Sequence, residues 1–267
     1  MEKVKINMVG GGFQHAHSSV SWFHPKYVEW IKDSHTANIS IHIDYGIMHQ
    51  SNKTKRNFAW ISEVSSINPS LFQWVFSHVN FLEENFEYIF TYDKRLLPLS
   101  NKMRIVPCSS KTWIIDPKIH NKSKMVSMFI SVKKSTHGQA YRHEILRKYG
   151  DKVDYFGTGV AKYIPNKEEG LNDYYYSIAI ENDNYPNCIT EKIIDCFATG
   201  TIPIYWGTSA ISEFFNNNGI IFLSNDLKIE DLSVNLYQSK MEYIKENFEI
   251  AIKWPITEDY IYENYIK

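Results

Sequence analysis

The chain has 267 residues, 43% of them hydrophobic and 22% charged, a composition typical of soluble globular proteins with one large or two small domains. Its formal net charge of −1 at pH 7 provides no basic field for nucleic acid or an anionic membrane. No apolar run approaches the roughly 20 residues that span a bilayer, and the amino-terminal sequence lacks the apolar core of a signal peptide. The three cysteines are odd in number and lack metal-ligand spacing, which indicates a reducing compartment. We therefore predict a cytoplasmic protein without a nucleic-acid partner.

The first half of the chain alternates short apolar runs with helical segments, which predicts a mainly parallel sheet with helices on both faces. The predicted strands are Val4–Val9, Ile39–Ile43, Phe58–Ile61, Tyr88–Thr91 and Arg104–Val106. Ser70–His78 is the predicted helix, and residues 20–37 form an aromatic amphipathic stretch that Pro25 interrupts.

A glycine run, Gly10–Gly12, follows the first predicted strand. It does not match the spaced glycines of a dinucleotide-binding loop, so a flexible turn is at least as well supported as a binding loop. His15 and His17 come next, but no carboxylate or third histidine stands at ligand spacing. We therefore predict no metal site there.

The second half begins after a polar stretch, residues 116–124, which lacks a hydrophobic period and is predicted to be an inter-domain linker. The predicted strands that follow are Met125–Val132, Val153–Phe156, Ser177–Ile180, Thr201–Tyr205 and Ile220–Leu223. The predicted helices are Gln139–Tyr149, a helix that opens near Glu191, and most of residues 232–254. We expect an N-terminal domain over residues 1–117, a second domain over 118–250, and a tail helix over 251–267. Packing of that tail on the N-terminal domain is an open option.

The clearest chemistry lies between Tyr174 and Trp206. Glu181 and Asn182 end a predicted strand, and the next helix carries Glu191 and Lys192 in or near its first turn. Polar groups at the carboxyl end of a strand, facing a helix N-terminus that bears a lysine, are typical of anion sites in open α/β sheets.

Further cations follow an earlier predicted strand. Lys133 and Lys134 lie in the loop after it, and Arg142 lies near the start of the next helix. Arginine forks, a lysine point charge and a helix dipole together suit a diphosphate. From spacing alone, a solvated helix turn and a surface arginine are slightly favoured over this interpretation.

The sequence IENDNYPNCITEKIIDCFATGTIPIYWG resembles the signature of the α1,3/α1,4-fucosyltransferase family, especially its bacterial members. The matching features are Glu181-Asn182, then Thr190-Glu191-Lys192, then a Pro-containing strand that ends at Gly207. The similarity extends back through SMFISVK to Arg142 and covers roughly the last half of the chain.

This resemblance implies a GT-B fold, in which two Rossmann-like α/β domains face a central cleft. The C-terminal domain would bind a GDP-sugar and the N-terminal domain the acceptor. By position, Arg142 and Lys192 would face the diphosphate, Glu191 the ribose, and Asn182 the donor sugar or the ribose. The implied donor-binding set is Arg142, Asn182, Glu191, Lys192, Lys134 and Ser131. Cys188 departs from the pattern, because the bacterial relatives usually have tyrosine there, so the donor sugar need not be fucose.

The resemblance also implies a mechanism: the family inverts the anomeric centre by direct displacement, which requires a general base on the acceptor hydroxyl. Glu63, directly after the predicted strand Phe58–Ile61, is our candidate for that catalytic base, and a surface glutamate opening a turn is the alternative. No cofactor or metal is required, since protein cations neutralise the diphosphate. The chain also has no Asp-x-Asp triplet, and its nearest equivalent is Glu181-Asn182-Asp183.

The sequence as a whole therefore predicts a nucleotide-sugar-dependent, fucosyltransferase-like enzyme whose partners are GDP-fucose and a glycan acceptor. Two alternatives stay open: the same fold with another nucleotide sugar, and a catalytically silent nucleotide-sugar-binding module. We expect membrane association only through the substrate or a partner.

Overall fold

The computed structural model describes residues 2–10, 18–20, 23–49 and 54–267. Gly11, Gly12, His15 and His17, on which the glycine-loop and metal-site questions depend, lie outside these residues. The chain divides into two compact units. The N-terminal unit comprises Met1–Ser110, Pro186–Cys188 and Pro255–Lys267, and the C-terminal unit comprises Lys111–Tyr185 and Ile189–Trp254.

Each unit contains one sheet with helices packed against it. The strands are β1 (Val4–Val9), β2 (Val28–Ile31), β3 (Ile39–Ile43), β4 (Arg56–Ile61), β5 (Ile89–Thr91), β6 (Met103–Ile105), β7 (Lys124–Phe129), β8 (Asp154–Phe156), β9 (Tyr174–Ile180), β10 (Ile202–Trp206) and β11 (Ile221–Phe222). The helices are α1 (Pro69–Ser77), α2 (Val79–Asn85), α3 (His137–Tyr149), α4 (Glu191–Ala198), α5 (Val234–Ser239), α6 (Met241–Ile252) and α7 (Thr257–Ile261), and a π-helical turn (Tyr262–Ile266) follows α7. No helix in the described part of the chain is long and apolar enough to cross a membrane.

The N-terminal unit has a six-stranded sheet in the order β2-β1-β3-β4-β5-β6, and its strand pairs are parallel. Every residue of β3 is buried, as expected for a parallel strand covered on both faces. The sequence missed β2, which is an edge strand of four residues. Its position depends on pairing with β1, where Val4 lies opposite Val28, and not on a pattern of its own.

The C-terminal unit has a five-stranded sheet in the order β11-β10-β9-β7-β8, and its strand pairs are again parallel. Pro203 lies inside β10, where proline normally removes a ladder hydrogen bond. The pairing with β11 begins one residue later, at Ile204, so the missing N–H breaks no bond on that side. Two parallel α/β units confirm the predicted fold class.

Residues 116–124 are not an inter-domain linker, and that prediction was wrong. The segment belongs to the C-terminal unit, because its polar groups are anchored there. The Nζ of Lys122 donates to the carbonyl oxygens of Leu171 (3.2 Å), Asn172 (3.0 Å) and Thr199 (2.7 Å), and to the Oγ1 of Thr201 (2.9 Å). Burial lowers the pKa of Lys122 to about 7. A polar stretch without periodicity predicts a linker. In the structure the Lys122 ammonium holds the segment in place together with the backbone N–H groups of Lys118, His120 and Ser123, which donate to the carbonyl oxygens of Ala198, Thr199 and Asp173.

The carboxyl-terminal segment from Pro255 onward belongs to the N-terminal unit. Ile261 and Ile266 are buried in the same core as Ile6. Glu258 is also buried, and its carboxylate accepts hydrogen bonds from the backbone N–H (2.6 Å) and the hydroxyl (2.6 Å) of Ser19. Burial raises the pKa of Glu258, and these hydrogen bonds oppose that rise.

Candidate active site

A pocket of about 450 Å³ opens in the C-terminal unit at the carboxyl ends of its strands. This is where open parallel α/β sheets bind ligands. The pocket walls come from the ends of β7, β8 and β9 and from α4, and they combine apolar and charged side chains. The lining residues of the pocket include Phe129, Ser131, Arg142, Phe156, Lys167, Glu191, Lys192, Asp195 and Cys196.

A buried carboxylate fixes the start of α4. Glu181 is fully buried at the end of β9, and its carboxylate accepts hydrogen bonds from the backbone N–H (2.9 Å) and the hydroxyl (2.6 Å) of Thr190. Thr190 is the N-cap of α4, and its Oγ1 accepts from the backbone N–H of Lys192 at 3.5 Å. Because the cap is held on both sides, the first turn of α4 has one position relative to β9.

Lys192 extends from this first turn into a cluster of oxygens. Its Nζ lies 2.9 Å from the Oγ1 of Thr190, 3.4 Å from a carboxylate oxygen of Glu191 and 3.5 Å from one of Glu181. The lysine is therefore held near the helix N-terminus, where the helix dipole adds to its positive charge.

Arg142 reaches the same region from α3, because that helix approaches the end of β9 closely. The backbone N–H of Gly138 donates to the carbonyl oxygen of Asn182 at 2.9 Å, and a Cβ at Gly138 would lie 1.8 Å from the carbonyl oxygen of Glu181. One turn later, the Nε and Nη2 of Arg142 donate to the carbonyl oxygen of Ile180 at 3.1 and 2.5 Å. Its Nη2 also donates to the Oδ1 of Asn182 at 3.1 Å.

The guanidinium of Arg142 is largely buried. Burial lowers its pKa, while the carboxylates of Glu181 and Glu191 oppose that change. Arginine stays protonated in proteins, so Arg142 brings a buried positive charge to the pocket. Its Nη1 makes no hydrogen bond to any residue that the structure describes.

Two charged residues of the pocket, Lys167 and Asp195, were missed by sequence reasoning. The Nζ of Lys167 lies 2.7 Å from the Oδ2 of Asp195 and 3.7 Å from a carboxylate oxygen of Glu191. Asp195 is buried and also accepts from the Thr112 hydroxyl and the Trp113 backbone N–H, both at 2.7 Å. Asp195 stands four residues after Glu191 on α4, so helical spacing could have identified it. No comparable signal marks Lys167, which lies in a short turn.

Glu191 is the carboxylate that both lysines share. Burial alone would raise its pKa, but the charges of Lys192 and Lys167 outweigh burial and hold the pKa at about 2. Glu191 is therefore ionised at neutral pH and acts as a hydrogen-bond acceptor.

The structure brings most of the predicted donor-binding residues together. Ser131, Arg142, Glu191 and Lys192 line the pocket, and Asn182 is hydrogen-bonded to Arg142. Lys134 does not line the pocket and is exposed on the loop before α3. The prediction for Lys134 therefore receives no support from this geometry.

Glu63, the predicted base, belongs to the N-terminal unit and is exposed just after β4. Asp44, which the sequence did not single out, orders this loop from the end of β3. Its carboxylate accepts from the backbone N–H groups of Ser62 (2.8 Å) and Glu63 (3.2 Å) and from the Ser62 hydroxyl (2.7 Å). Asp44 has a left-handed backbone with φ of 49°, and burial raises its pKa while these hydrogen bonds oppose the rise.

The cysteines are all free thiols. Cys188, the departure from the family signature, is buried, and its Sγ lies 3.6 Å from that of Cys108. Cys196 lines the pocket, but burial raises its pKa to about 12, so it stays protonated and unreactive. Among the described residues, no group of three His, Cys, Asp or Glu side chains is arranged to hold a metal ion.

Comparison with known proteins decides the family. The family model described as "Glycosyltransferase family 10 (fucosyltransferase) C-term" matches residues 119–254, just over half of the chain. The chain belongs to glycosyltransferase family 10. The matched range contains the pocket lining from Phe129 to Cys196, and the resemblance noted in the sequence is confirmed.

Individual family 10 relatives are similar over shorter segments. Alpha-(1,3)-fucosyltransferase FucT of Helicobacter pylori is 30% identical over 105 residues, which are 38% of this chain and 22% of that protein. Alpha-(1,3)-fucosyltransferase B of Drosophila melanogaster is 38% identical over 66 residues, which are 25% of this chain and 15% of that protein. The matches thus span less than a quarter of these curated relatives.

Solved structures are similar over a longer range. A crystal structure of an α1,3-fucosyltransferase with GDP aligns with 95% of this chain and 82% of that chain, at a TM-score of 0.53 and 12% identity. A second structure of an α1,3-fucosyltransferase aligns with 96% of this chain and 84% of that chain, at a TM-score of 0.53 and 14% identity. Because the sequence identity is only 12–14%, the structural similarity shows the fold alone. That fold is of the GT-B class, with two Rossmann-like domains.

Proposed function

We propose that this family 10 member is an inverting glycosyltransferase that moves a sugar, with fucose from GDP-fucose as the first candidate, to a hydroxyl of a glycan acceptor. The observation that carries the proposal is the meeting of Arg142, Lys192 and the N-terminus of α4 at one pocket, beside the ionised Glu191. The similar α1,3-fucosyltransferase structure described above contains GDP.

The diphosphate of the donor would occupy the cationic side of the pocket. Arg142 has its Nε and Nη2 on the protein backbone, which leaves Nη1 for a phosphate oxygen. Lys192 supplies a point charge within the first turn of α4. Hydrogen bonds to charged groups contribute about 1.5–3 kcal/mol each, so removal of either cation should weaken diphosphate binding at least tenfold.

The nucleoside would use the rest of the pocket. Glu191 stays ionised and would accept hydrogen bonds from the ribose hydroxyls, as acidic residues do in dinucleotide-binding folds. Asn182, held by Arg142, offers an amide to the ribose or the donor sugar. Phe129 and Phe156 line the apolar wall, which suits the faces of a flat base.

Displacement at the anomeric carbon requires a proton acceptor and charge neutralisation in the same step. We assign the first role to Glu63, whose loop Asp44 holds by backbone hydrogen bonds. Glu63 would take the proton of the acceptor hydroxyl as its oxygen bonds to the sugar. The bond from the sugar to the diphosphate would break on the opposite side, and Arg142 and Lys192 would stabilise the departing charge.

The proposal is tested by incubating the protein with GDP-fucose, GDP-mannose and a UDP-sugar, with and without glycan acceptors, and measuring nucleotide release. We expect GDP release from GDP-fucose; activity with a different GDP-sugar would instead assign that donor, consistent with Cys188 in place of tyrosine. Binding of a nucleotide sugar without release from any of them would identify the silent module. No binding of any nucleotide sugar would overturn the site itself.

Glu63→Gln tests the base separately, with Glu84→Gln, another exposed glutamate of the same unit, as the matched control. A general base contributes about 10²–10⁴-fold to rate, so we expect turnover to fall by at least 100-fold in Glu63→Gln while the Kd for GDP is unchanged. Turnover at the level of the control would remove Glu63 from the mechanism.

A further inference from the structure

Six charged side chains meet at the start of α4, three of each sign. They are Arg142, Lys167, Lys192, Glu181, Glu191 and Asp195. Each lysine has a carboxylate partner of its own: Glu181 lies 3.5 Å from Lys192, and Asp195 lies 2.7 Å from Lys167. Glu191 lies between the two lysines, 3.4 Å from Lys192 and 3.7 Å from Lys167.

This arrangement matters because Lys192 has no spare hydrogen. An ammonium group has three hydrogens, and the Nζ of Lys192 already faces three acceptors, on Thr190, Glu191 and Glu181. A phosphate oxygen can bind Lys192 only if one acceptor withdraws. Thr190 is fixed as the N-cap of α4 and Glu181 is buried on two Thr190 hydrogen bonds, so Glu191 is the acceptor that can move.

We propose that Lys167 is a positioning residue for the ligand's phosphate group. It offers the Glu191 carboxylate a second cation to pair with, so that the ammonium of Lys192 becomes available to an anion. The proposal rests on the function proposed above, in which Lys192 contacts the diphosphate. Lys167 itself need not touch the ligand.

Lys167 is built to stay in place and stay charged. Its Nζ forms an ion pair with Asp195, and the Asp195 carboxylate also accepts hydrogen bonds from the Thr112 hydroxyl and the Trp113 backbone N–H. The Nζ of Lys167 also lies 4.7 Å from the centre of the Trp113 ring, within the range of a cation–π contact. Burial alone would lower the pKa of Lys167, but the carboxylates of Asp195 and Glu191 outweigh it and raise the pKa.

The charges that face Glu191 determine what happens when Lys167 is neutralised. They come from Lys192 on its own helix, Lys167 on the turn opposite, Asp195 one turn along, and Arg142 on α3. Without Lys167, burial is opposed mainly by Lys192. The carboxylate of Glu191 then stays on Lys192 and its pKa rises.

Lys167→Met tests this role, with Lys167→Arg as the charge-preserving rescue and Lys162→Met, an exposed lysine nearby, as the matched control. Lys167→Gln retains a donor for Asp195 and replaces Lys167→Met if that variant does not fold. The first readout needs no nucleotide: NMR titration of the carboxyl carbon of Glu191. An opposite charge at this range lowers a carboxyl pKa by about 1–3 units, so we expect a rise of one unit or more in Lys167→Met and Lys167→Gln, and none in Lys167→Arg or Lys162→Met.

The second readout is GDP affinity at pH 7.5, by calorimetry. We expect about tenfold weaker binding in Lys167→Met, and Lys167→Met/Lys192→Met no weaker than Lys192→Met, since residues that act through one another are not additive. An unchanged Glu191 pKa, or fully additive losses, would overturn the positioning role. Failure of the wild-type protein to bind GDP while the Glu191 pKa still rises would overturn the proposed diphosphate ligand and keep the role of Lys167 toward Glu191.

Discussion

Glu181→Gln is the most direct test of how the chain builds its pocket. The substitution keeps the shape of the side chain and removes the buried negative charge that receives both Thr190 hydrogen bonds. The carboxylate also lies 3.5 Å from the Nζ of Lys192. The glutamine amide can retain one of these acceptor contacts, but its NH₂ group is a donor and meets another donor.

The magnitude follows from the two hydrogen bonds. Bonds to a charged group contribute about 1.5–3 kcal/mol and neutral ones about 0.5–1.5 kcal/mol, so converting two of them costs about 2 kcal/mol. For a chain of this size, that corresponds to a fall of about 4–8 °C in the thermal midpoint.

Scanning calorimetry of the whole chain measures this loss, with Glu169→Gln, an exposed glutamate of the same unit, as the control. Thr190→Val completes a double-mutant cycle, because Glu181 and Thr190 share the same hydrogen bond. We expect the double variant to lose about 1 kcal/mol less than the sum of the single losses. A midpoint for Glu181→Gln within about 1 °C of the control, or fully additive losses, would refute the assignment of Glu181 as the residue that fixes α4.

Three further predictions concern the same unit. Lys122→Met should lower the free energy of unfolding in urea by about 2 kcal/mol, because buried carbonyl oxygens lose their donor. Lys118→Met, at an exposed lysine of the same segment, should not lower it. Equal stability of the two variants would contradict the stabilising role of the Lys122 hydrogen bonds. Gly138→Ala should weaken GDP binding more than tenfold, since its Cβ would lie 1.8 Å from the carbonyl oxygen of Glu181 and push α3, with Arg142, away from the end of β9. Binding of GDP to this variant with wild-type affinity in calorimetry would refute the prediction. The wild-type protein should be more stable than Glu191→Gln, with the full difference above pH 4.5 and a smaller one as the pH falls toward 2. The reason is that the folded protein holds the pKa of Glu191 at about 2, below its ordinary value of 4.5. A difference in melting temperature that stays constant across this pH range would contradict the lowered pKa of Glu191.

The parts of the fold that follow from local pattern were predictable. The strand Val4–Val9 has the predicted bounds, because the apolar residues Val4, Ile6, Met8 and Val9 mark it and Gly10 follows directly. The first turn of α4 was also expected, since the sequence places Glu191 and Lys192 in or near the start of a helix; the N-cap role of Thr190 was established by the structure. Strand ends and helix starts converge in a parallel sheet, so the meeting of Arg142 with these residues followed from topology.

What the sequence did not reveal depends on tertiary contacts. Lys122 looks like a linker residue until the carbonyl oxygens around its Nζ are known. Lys167 gains its role from Asp195 and Trp113, which are distant in the chain. Asp44 takes a left-handed backbone that no local signal predicts for an aspartate at the end of a buried strand.

The central claim is that the pocket in the C-terminal unit binds the diphosphate of a nucleotide sugar through Arg142 and Lys192. Titration calorimetry with GDP, GMP and guanosine tests it on the wild-type chain, Arg142→Lys and Lys192→Met, with exposed Lys162→Met as control. We expect GDP to bind more tightly than GMP or guanosine, and each site variant to lose at least about tenfold, or 1.4 kcal/mol, for GDP. Equal affinity for GDP and guanosine, with no loss in either variant, would contradict the claim.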